Sequence, residues 1–332
     1  MFAEAIEEIL KDQCTPAVVR SIEAGQSPAA LWDAIAGAGF LELLTAEEDG
    51  GAGLTLAELF PIMTTLGRYA VPVPIAQSVA ARSLLAGKAD IPVGMLTLAP
   101  ACRRTGNGQI VCPLVPFGLL AEYVLADDED TLLVLPCASA VRTATGVFGN
   151  LSATLAWQQG AEIARLEKIG SAVPIFGAAL HAALLAGALN RVFEMTLQYA
   201  NDRSQFGKSI GKFQAIQHQI SVMAEHVAAA SIAAEIAFQG ESRVPALLAS
   251  AIAKSRTSEA TVLVASIAHA VHGAMGITLE YELHLFTKRL LRWRGVAGTE
   301  TYWSRMVGQQ LLTAEACIWE QVRAEQGLAQ IV

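Results

Sequence analysis

A run of polar and charged residues, YANDRSQFGKSIGKFQ at 199–214, lies between two long apolar, Ala-rich stretches. Arg203 stands where the first apolar stretch ends, and Gly207 and Gly211 give the backbone freedom to turn. An arginine at a helix junction can bind an anion through paired hydrogen bonds, and the ring of Phe206 offers a flat face to a planar group. The run therefore predicts either a site for an anionic, ring-containing ligand or a plain polar connection between two helices.

The residue pattern predicts a mainly α protein with a β insert, in three regions. Residues 1–88 read as a helical domain, in which Ser27 is expected to cap a helix that begins at Pro28. Residues 89–170 break into short β-type runs separated by Pro, Gly, Asn and Asp, which predicts a small sandwich or barrel. Residues 171–332 predict an antiparallel four-helix bundle. Its long helices are expected near 174–201, 212–239, 243–271 and 300–326.

Composition narrows the class of partner. Hydrophobic residues make up 53% of the 332 residues and charged residues 16%, against roughly 25% charged in an average soluble protein, so we expect apolar surface to be buried in an oligomer. The net charge of -8 argues against a nucleic-acid ligand. The five scattered cysteines, without a CxxC pair, are typical of a cytoplasmic protein with reduced thiols. The apolar run 173–189 contains two glycines and a histidine, which favours a buried bundle helix over a membrane span.

The run at 199–214 and three other stretches resemble one enzyme family. YANDRSQFGKSIGKFQAIQHQISVMA resembles the flavin-binding loop of the acyl-CoA dehydrogenases, which reads Arg-x-x-Phe-Gly-x-x-(hydrophobic)-x-x-x-Gln. AGFLELLTAEEDGGAGLTLAELF is similar to the N-terminal domain of that family, and AVHGAMGITLEYELHLF to its Gln-x-x-Gly-Gly-x-Gly segment and the helix after it. GVAGTETYWSR stands where the family has Tyr-Glu-Gly-Thr. The resemblance covers nearly the whole chain and includes the α–β–α order of its regions.

The resemblance implies a fold, a reaction and a cofactor. Acyl-CoA dehydrogenases oxidise an acyl-CoA to the 2,3-enoyl thioester: a glutamate removes the proton next to the carbonyl, and FAD takes a hydride from the neighbouring carbon. Electrons usually pass on to an electron-transfer flavoprotein. In the family the flavin-binding loop typically reaches across a dimer interface to the FAD of the neighbouring subunit. The resemblance assigns cofactor-binding roles to Arg203, Gln205, Phe206, Gln214, Gly273, Gly276 and Thr299.

The position that the resemblance gives to the catalytic base holds no carboxylate. The family's base usually precedes Gly-Thr, and the residue there is Ala297. Some members carry the base on the helix that leads into the flavin-binding loop, where this chain has Gly177 or Ala178. Glu300, three residues beyond Ala297, is a weak candidate for a substitute base. The alternative is that Glu300 stabilises the N-terminus of a helix by its charge.

Other parts of the family pattern are also reduced. The β region lacks the Thr-Glu-Pro-x-x-Gly-Ser-Asp and Trp-Ile-Thr-Asn-type stretches that hold the flavin ring in the family. In the glycine segment, Ala270 replaces the usual Gln and Ala274 the second Gly. His269 and His272 lie three residues apart without a cysteine or carboxylate cluster, so no metal site is expected. The acidic run at 127–130 predicts a solvated hairpin turn.

Three hypotheses for the function follow. A chain that keeps Arg203, Phe206 and Gln214 but lacks a base is predicted to serve the flavin of a catalytic homologue in an α2β2 tetramer. In this respect the chain resembles the short chains of some bacterial acyl-CoA dehydrogenases that act on steroid side chains. The first alternative is a homotetrameric acyl-CoA dehydrogenase that uses an acid such as Glu300. The second is a flavin-free structural or acyl-CoA-binding relative.

Overall fold

The first region of the chain is helical. The computed structural model describes residues 2–128 and 131–313. The helices of the first region are α1 (Phe2–Gln13), α2 (Pro16–Glu23), α3 (Ala29–Gly37), α4 (Leu56–Arg68) and α5 (Ile75–Leu85). The predicted start of α3 is wrong by one residue, because Pro28 occupies the cap position and Ala29 is the first helical residue. The Ser27 hydroxyl still accepts a hydrogen bond from the free N–H of Ala29, at 3.3 Å.

The second region is a β-sandwich. Its strands are β1 (Leu96–Ala99), β2 (Arg103–Arg104), β3 (Ile110–Val115), β4 (Tyr123–Asp127), β5 (Thr131–Pro136), β6 (Val141–Ala144), β7 (Ala153–Trp157) and β8 (Ala164–Glu167). One sheet has the order β1-β4-β5-β8 and the other β2-β3-β7-β6. Cys112 and Leu155 of the second sheet share a buried core with Val124 and Leu133 of the first, so the two faces pack together as a sandwich.

The third region is the predicted helical bundle. Its elements are α6 (Ala172–Asp202), β9 (Ser204–Gln205), β10 (Lys208–Ser209), α7 (Gln214–Ile236), α8 (Leu247–His272), α9 (Leu283–Gly295) and α10 (Glu300–Thr313). The four predicted long helices correspond to α6, α7, α8 and α10, and the remainder of the last prediction, 314–326, lies outside the described residues. The expected fold class, mainly α with a β insert between two helical regions, is confirmed. The domain boundaries proposed at 88/89 and 170/171 fall in connections between elements and stay proposals.

Helix α6 is the central helix of the bundle. It contacts α4, α7, α8 and α9, and its residues from Ala178 to Leu189 are buried on every side. Gly187 lets α4 approach closely: a Cβ at that position would lie 1.9 Å from the Thr64 carbonyl oxygen. Gly67 on α4 is equally restricted, since a Cβ there would lie 2.1 Å from the Leu184 carbonyl oxygen. Two small residues thus bring the first region against the bundle.

Two described stretches, Ala172–Asp202 and Leu247–Ile277, have the length and hydropathy of a membrane-crossing helix. In the fold, 94% of the most apolar window of the first stretch is buried inside the protein, and 50% of that of the second. The hydrophobicity of α6 is therefore that of a core helix surrounded by other helices.

A buried ion-pair network joins the three regions. Glu23 at the end of α2 accepts hydrogen bonds from Arg289 at 2.7 Å and from Arg292 at 3.1 Å, both on α9. Arg292 also donates to the carbonyl oxygens of Phe148 and Gly149 in the sandwich, each at 2.6 Å. The Arg289 side chain is 4% exposed and the Glu23 side chain 9%. Charges buried to this degree depend on their partners.

Substitution of Glu23 by Gln is expected to lower the free energy of unfolding by about 3–5 kcal/mol, because it leaves a buried guanidinium without its charge partner. Urea unfolding followed by circular dichroism measures the loss. The control is Glu8→Gln, which removes an exposed pair with Lys11 and should leave the midpoint nearly unchanged. Equal midpoints for the two variants would show that the network does not stabilise the fold.

Candidate functional site

The polar run at 199–214 contains a small hairpin that directly follows α6. Strands β9 and β10 pair antiparallel, with Gln205 opposite Lys208. The two residues of the turn, Phe206 and Gly207, have positive φ angles of 53° and 79°, the geometry of a tight hairpin turn. A positive φ is unfavourable for a residue with a bulky side chain. The fold nevertheless holds the Phe206 ring in solvent, 90% exposed.

The hairpin and the glycine segment form one pocket, which we call the loop pocket. Its volume is about 440 Å³. It is lined by Tyr199, Arg203, Gln205, Phe206, Ile210, Phe213, Ile216 and residues 270–275. Two stretches that are far apart in sequence and that the family resemblance assigns to the same cofactor therefore meet around one cavity.

The charged group of the loop pocket is available to a ligand. In residues 2–128 and 131–313, the Arg203 side chain makes no hydrogen bond or ion pair. Its backbone N–H donates to the Tyr199 carbonyl oxygen at 2.9 Å, and its carbonyl oxygen accepts from the Ile210 N–H at 2.8 Å. By contrast, the Lys208 ammonium lies 4.2 Å from the centroid of the Phe213 ring, a cation–π contact. The guanidinium of Arg203 is thus the free cation among these groups.

The opposite wall of the loop pocket is aromatic. The rings of Tyr199 and His272 stack with centroids 4.3 Å apart, and the Tyr281 ring lies 5.0 Å from that of His272. The Tyr199 hydroxyl donates to the His272 carbonyl oxygen at 3.4 Å, just before Gly273, which has a φ of 58°. Burial lowers the pKa of His272, so its ring is uncharged at neutral pH.

The seven predicted cofactor residues do not all lie at this pocket. Arg203, Gln205, Phe206 and Gly273 line it. Gly276 lies behind the wall, where a Cβ would come within 3.0 Å of His272 and Leu283 side-chain atoms, so close packing accounts for this glycine. Two others lie elsewhere: Gln214 is exposed at the start of α7, and Thr299 precedes α10 at the other end of the bundle.

A second pocket, which we call the alanine pocket, lies between the sandwich and the bundle. Its volume is also about 440 Å³. Its lining includes four prolines, a few polar side chains and the segment before α10: Pro100, Pro113, Pro116, Pro174, Leu114, Asn150, Ser152, Arg292, residues 295–298, Tyr302 and Trp303. Proline has no backbone N–H, so the four prolines contribute no backbone hydrogen-bond donors to the pocket.

The two positions at which the family resemblance places a base meet at this pocket. Ala297 lines it with a φ of 55°. Gly177 lies directly behind, since a Cβ there would be 3.1 Å from the Ala297 Cβ and 3.1 Å from Pro100. Ala178 is buried against Trp303 and Ala251. The place where a carboxylate could face an acyl thioester is therefore occupied by small apolar groups.

Glu300, the candidate for a substitute base, is held by another residue. Its carboxylate accepts two hydrogen bonds from the Arg294 guanidinium, one of them at 3.1 Å from Nε. The Arg294 hydrogen bond is the main cause of a lowered pKa for Glu300. Glu300 is also absent from the residues that line the alanine pocket. A general base needs a pKa near the working pH and access to the proton that it removes, and this geometry favours neither.

The sequence reasoning missed a buried lysine beneath the alanine pocket. Lys254 on α8 is fully buried. Its ammonium donates to the carbonyl oxygens of Arg294 at 2.8 Å and Gly298 at 2.9 Å and to the Ser258 hydroxyl at 2.9 Å. Each N–H of the ammonium is thus paired with an acceptor. Two of these acceptors are backbone carbonyl groups, so the lysine holds the backbone on both sides of Ala297. Burial lowers the pKa of Lys254 to about 7. The available signal was a lysine that directly follows the uncharged run ALLASAIA.

Comparison with known proteins decides the family. The family model for the acyl-CoA dehydrogenase N-terminal domain matches residues 1–89, and that for the acyl-CoA dehydrogenase C-terminal domain matches residues 176–312. The chain is 30% identical to acyl-CoA dehydrogenase IpdE2 of Mycobacterium tuberculosis over 87% of its own length and 89% of that protein. The chain belongs to the acyl-CoA dehydrogenase family. Its resemblance to that family is therefore confirmed, and with it membership of a class of oxidoreductases that act on CH–CH bonds.

Solved structures of the acyl-CoA dehydrogenase fold superpose on nearly the whole chain. The ChsE4–ChsE5 complex of M. tuberculosis matches with a TM-score of 0.83 at 22% identity, over 95% of this chain and 97% of the matched one. The Tcur3481–Tcur3483 steroid ACAD matches with a TM-score of 0.79 at 22% identity, over 93% and 96%. At this identity the likeness establishes the fold alone.

Two further features of the sequence can be located in the structure. In the described parts of the chain, no group of three or more His, Cys, Asp or Glu side chains could hold a metal ion. The prediction of a solvated acidic turn is wrong for Asp127 and Asp128, whose side chains are 7% and 10% exposed. They pair with Lys168 and Arg104, each at 2.7 Å, because cations distant in sequence fold against this turn. Residues 129 and 130 lie outside the described residues.

The ion pair of Glu300 predicts a pH-dependent contribution to stability. The pKa of Glu300 is lowered from its ordinary value of 4.5. The ion pair therefore stabilises the fold fully above pH 4.5, and this stabilisation is lost as the pH falls through the lowered pKa of the folded protein. Glu300→Gln should therefore reduce the free energy of unfolding at pH 7 by about 1 kcal/mol, allowing for solvent screening. The difference from the unmodified protein should vanish in acid.

Thermal unfolding of the two proteins across pH 3–7 checks this expectation. The control is Glu259→Gln, which removes an exposed carboxylate 3.6 Å from Arg256 and should change the melting temperature little at any pH. A loss that stays constant into acid would mean that Glu300 acts in the fold by its shape and not by its charge.

Proposed function

We propose that this chain is the subunit without a base in a FAD-dependent acyl-CoA dehydrogenase of two different chains, in which a catalytic homologue supplies the base. The observation that carries the proposal is that Gly177 and Ala297, neither of which can accept a proton, lie side by side, since a Cβ at Gly177 would be 3.1 Å from that of Ala297. The loop pocket lies at the other end of the bundle. In this arrangement the chain provides binding groups for a flavin whose reacting ring lies in the partner subunit.

The missing base supports the first part of the proposal. Removal of a proton next to a thioester carbonyl needs a side chain that can accept it, and neither a methyl group nor a hydrogen atom can. Glu300 is paired with Arg294 and does not line the alanine pocket. The geometry therefore does not favour the alternative of a homotetramer that uses Glu300, and this alternative stays an untested prediction.

The chemistry of the loop pocket supports FAD as its ligand. The free Arg203 guanidinium can donate two parallel hydrogen bonds to a diphosphate. The Phe206 and Phe213 rings lie edge to face with centroids 6.3 Å apart, and with the stacked Tyr199 and His272 they offer apolar faces to a nucleotide base. When bound, FAD supplies the hydride acceptor that no side chain provides. The residues of this chain would bind its diphosphate and orient its adenosine part.

The separation of the two pockets supports a ligand shared with another chain. Pro174 in the first turn of α6 lines the alanine pocket, and Tyr199 near its end lines the loop pocket. Their residue numbers differ by 25, which corresponds to about 37 Å along the helix axis. The loop pocket is therefore remote from this chain's own candidate active site, and the exposed Phe206 ring at its rim is suited to pack against a partner.

The names of the related structures suggest the kind of partner and substrate. The ChsE4–ChsE5 and Tcur3481–Tcur3483 structures are each of two named proteins, and the second is called a steroid ACAD. We extend both features to this chain as proposals: a catalytic homologue as partner, and an acyl-CoA with a steroid-type acyl group as substrate. An electron-transfer flavoprotein as electron acceptor and a cytoplasmic location stay predictions.

The isolated chain, supplied with FAD, should not dehydrogenate acyl-CoA thioesters at a useful rate. Loss of a general base typically costs about 10²–10⁴-fold in rate, so the mixed complex should exceed the isolated chain by at least that factor. A dye-linked assay with a series of acyl-CoA thioesters measures both rates. Robust turnover by the isolated chain that disappears in Glu300→Gln would support the homotetramer instead.

Substitution of Arg203 by Ala should lower the amount of FAD that copurifies with the mixed complex, because the diphosphate loses its bidentate partner. The matched control is Lys212→Ala, which removes one positive charge from the same connection outside the lining of the loop pocket. Flavin absorbance per complex and circular dichroism give the readout. Equal flavin content in the two variants, with both folded, would mean that the hairpin is only a connection.

A further inference from the structure

Two cysteines face each other across a strand pair beside the alanine pocket. The register of β2 and β3 pairs Arg103 with Val111 and Arg104 with Ile110. Continued by one residue, this register places Cys102 opposite Cys112. The thiol of Cys102 packs, half-buried, against the sandwich core to which the fully buried Cys112 belongs.

The hydrogen-bond pattern determines how closely the two cysteines approach. The N–H of Thr105 donates to the Gln109 carbonyl oxygen at 2.9 Å, so that pair is hydrogen-bonded. Hydrogen-bonded and non-hydrogen-bonded pairs alternate along an antiparallel ladder, which makes Cys102 and Cys112 a non-hydrogen-bonded pair. Such pairs have Cα atoms about 4.5 Å apart, within the range of about 4.4–6.8 Å that disulfides span.

We propose that Cys102 and Cys112 form a reversible thiol–disulfide pair, with Cys102 as the attacking thiol, Cys112 as the resolving thiol and a peroxide as the oxidant. The thiolate of Cys102 attacks one peroxide oxygen, the O–O bond breaks, and the departing hydroxide takes up a proton to give water and a sulfenic acid. The Cys112 sulfur then attacks the Cys102 sulfur, the S–O bond breaks, and the second water leaves with the Cys112 proton. Two thiols and hydrogen peroxide thus give a disulfide and two waters.

The surroundings of the thiols agree with these roles. The net effect on Cys102 is a lowered pKa: a hydrogen bond from the Cys112 thiol lowers it most, and the Arg104 guanidinium lowers it further, while burial, Asp128 and Asp127 oppose this. The same contact and burial raise the pKa of Cys112. The accessible thiol is therefore the one that ionises more readily, which favours its reaction with a peroxide.

The other cysteines of the described residues lack these features. Burial raises the pKa of Cys14 to about 12 and that of Cys137 to about 11. Both are almost fully buried, 3% and 2% exposed. Neither has a thiol partner across a strand pair, because Cys14 donates to the Tyr69 carbonyl oxygen and Cys137 lies beyond the end of β5. They serve as internal references for selective oxidation.

A disulfide between Cys102 and Cys112 would join two chain segments that form one wall of the alanine pocket. Pro100 and Ala101 precede Cys102, Pro113 and Leu114 follow Cys112, and all four line the pocket. The pairing of β3 is irregular between Cys112 and Val115, so this wall is not otherwise held by a continuous ladder. The disulfide would join the two wall segments covalently where the ladder ends.

The test uses the full chain in its native state with a limited amount of hydrogen peroxide. After oxidation, free thiols are alkylated in denaturant and peptides are mapped by mass spectrometry. We expect a peptide cross-linked between Cys102 and Cys112, reversed by dithiothreitol, with Cys14 and Cys137 oxidised at least about tenfold more slowly. Recovery of Cys102 and Cys112 as separately alkylated peptides would overturn the proposal.

Two variants distinguish the attacking from the resolving thiol. In Cys112→Ser the sulfenic acid on Cys102 should persist and be trapped by dimedone, whereas in Cys102→Ser position 112 should stay reduced. The matched control Cys137→Ser, in the same core, should form the disulfide at the normal rate. Dimedone labelling of Cys112 in Cys102→Ser, or no labelling of Cys102 in Cys112→Ser, would contradict the assigned roles.

Discussion

One buried helix fixes the distance between the two pockets of this chain. Helix α6 contributes Pro174 to the alanine pocket and Tyr199 to the loop pocket, and it contacts helices α4, α5, α7, α8 and α9. Because close contacts at Gly67 and Gly187 press α4 against it, α6 cannot shift without disturbing the core. The separation of the two pockets is thus a fixed property of the bundle.

At the alanine pocket, the positions that the family resemblance assigns to a base hold no carboxylate. The Lys254 ammonium donates to the carbonyl oxygens of Arg294 and Gly298, and the Arg294 guanidinium donates to the carboxylate of Glu300. The charged side chains around this segment are therefore paired with other protein groups. Such a pocket can hold an apolar group, but it lacks a group that could take a proton from it.

The features that follow from local pattern were predictable from the sequence, and those that depend on distant residues were not. The spacing of apolar residues and the short β-type runs were enough to predict the three regions. The composition of 199–214 was enough to identify Arg203 and Phe206 as candidate binding residues. The hairpin turn was not predictable, because a positive φ at a phenylalanine contradicts turn preferences. Nor was the burial of Asp127, since its partner Lys168 follows β8, beyond the next four strands of the sandwich. Nor was the close packing of Gly276 against His272 and Leu283 predictable, and its assignment to the cofactor stays a prediction.

The central claim is that this chain lends binding groups to a flavin held by another chain, and the ratio of FAD to protein tests it most directly. The chain is co-expressed with a catalytic acyl-CoA dehydrogenase homologue, the mass of the complex is measured by light scattering, and FAD is released in denaturant and quantified by absorbance. The account predicts a tetramer of two chains of each kind that contains one FAD for every two chains. A mixed tetramer with one FAD for every chain would contradict it.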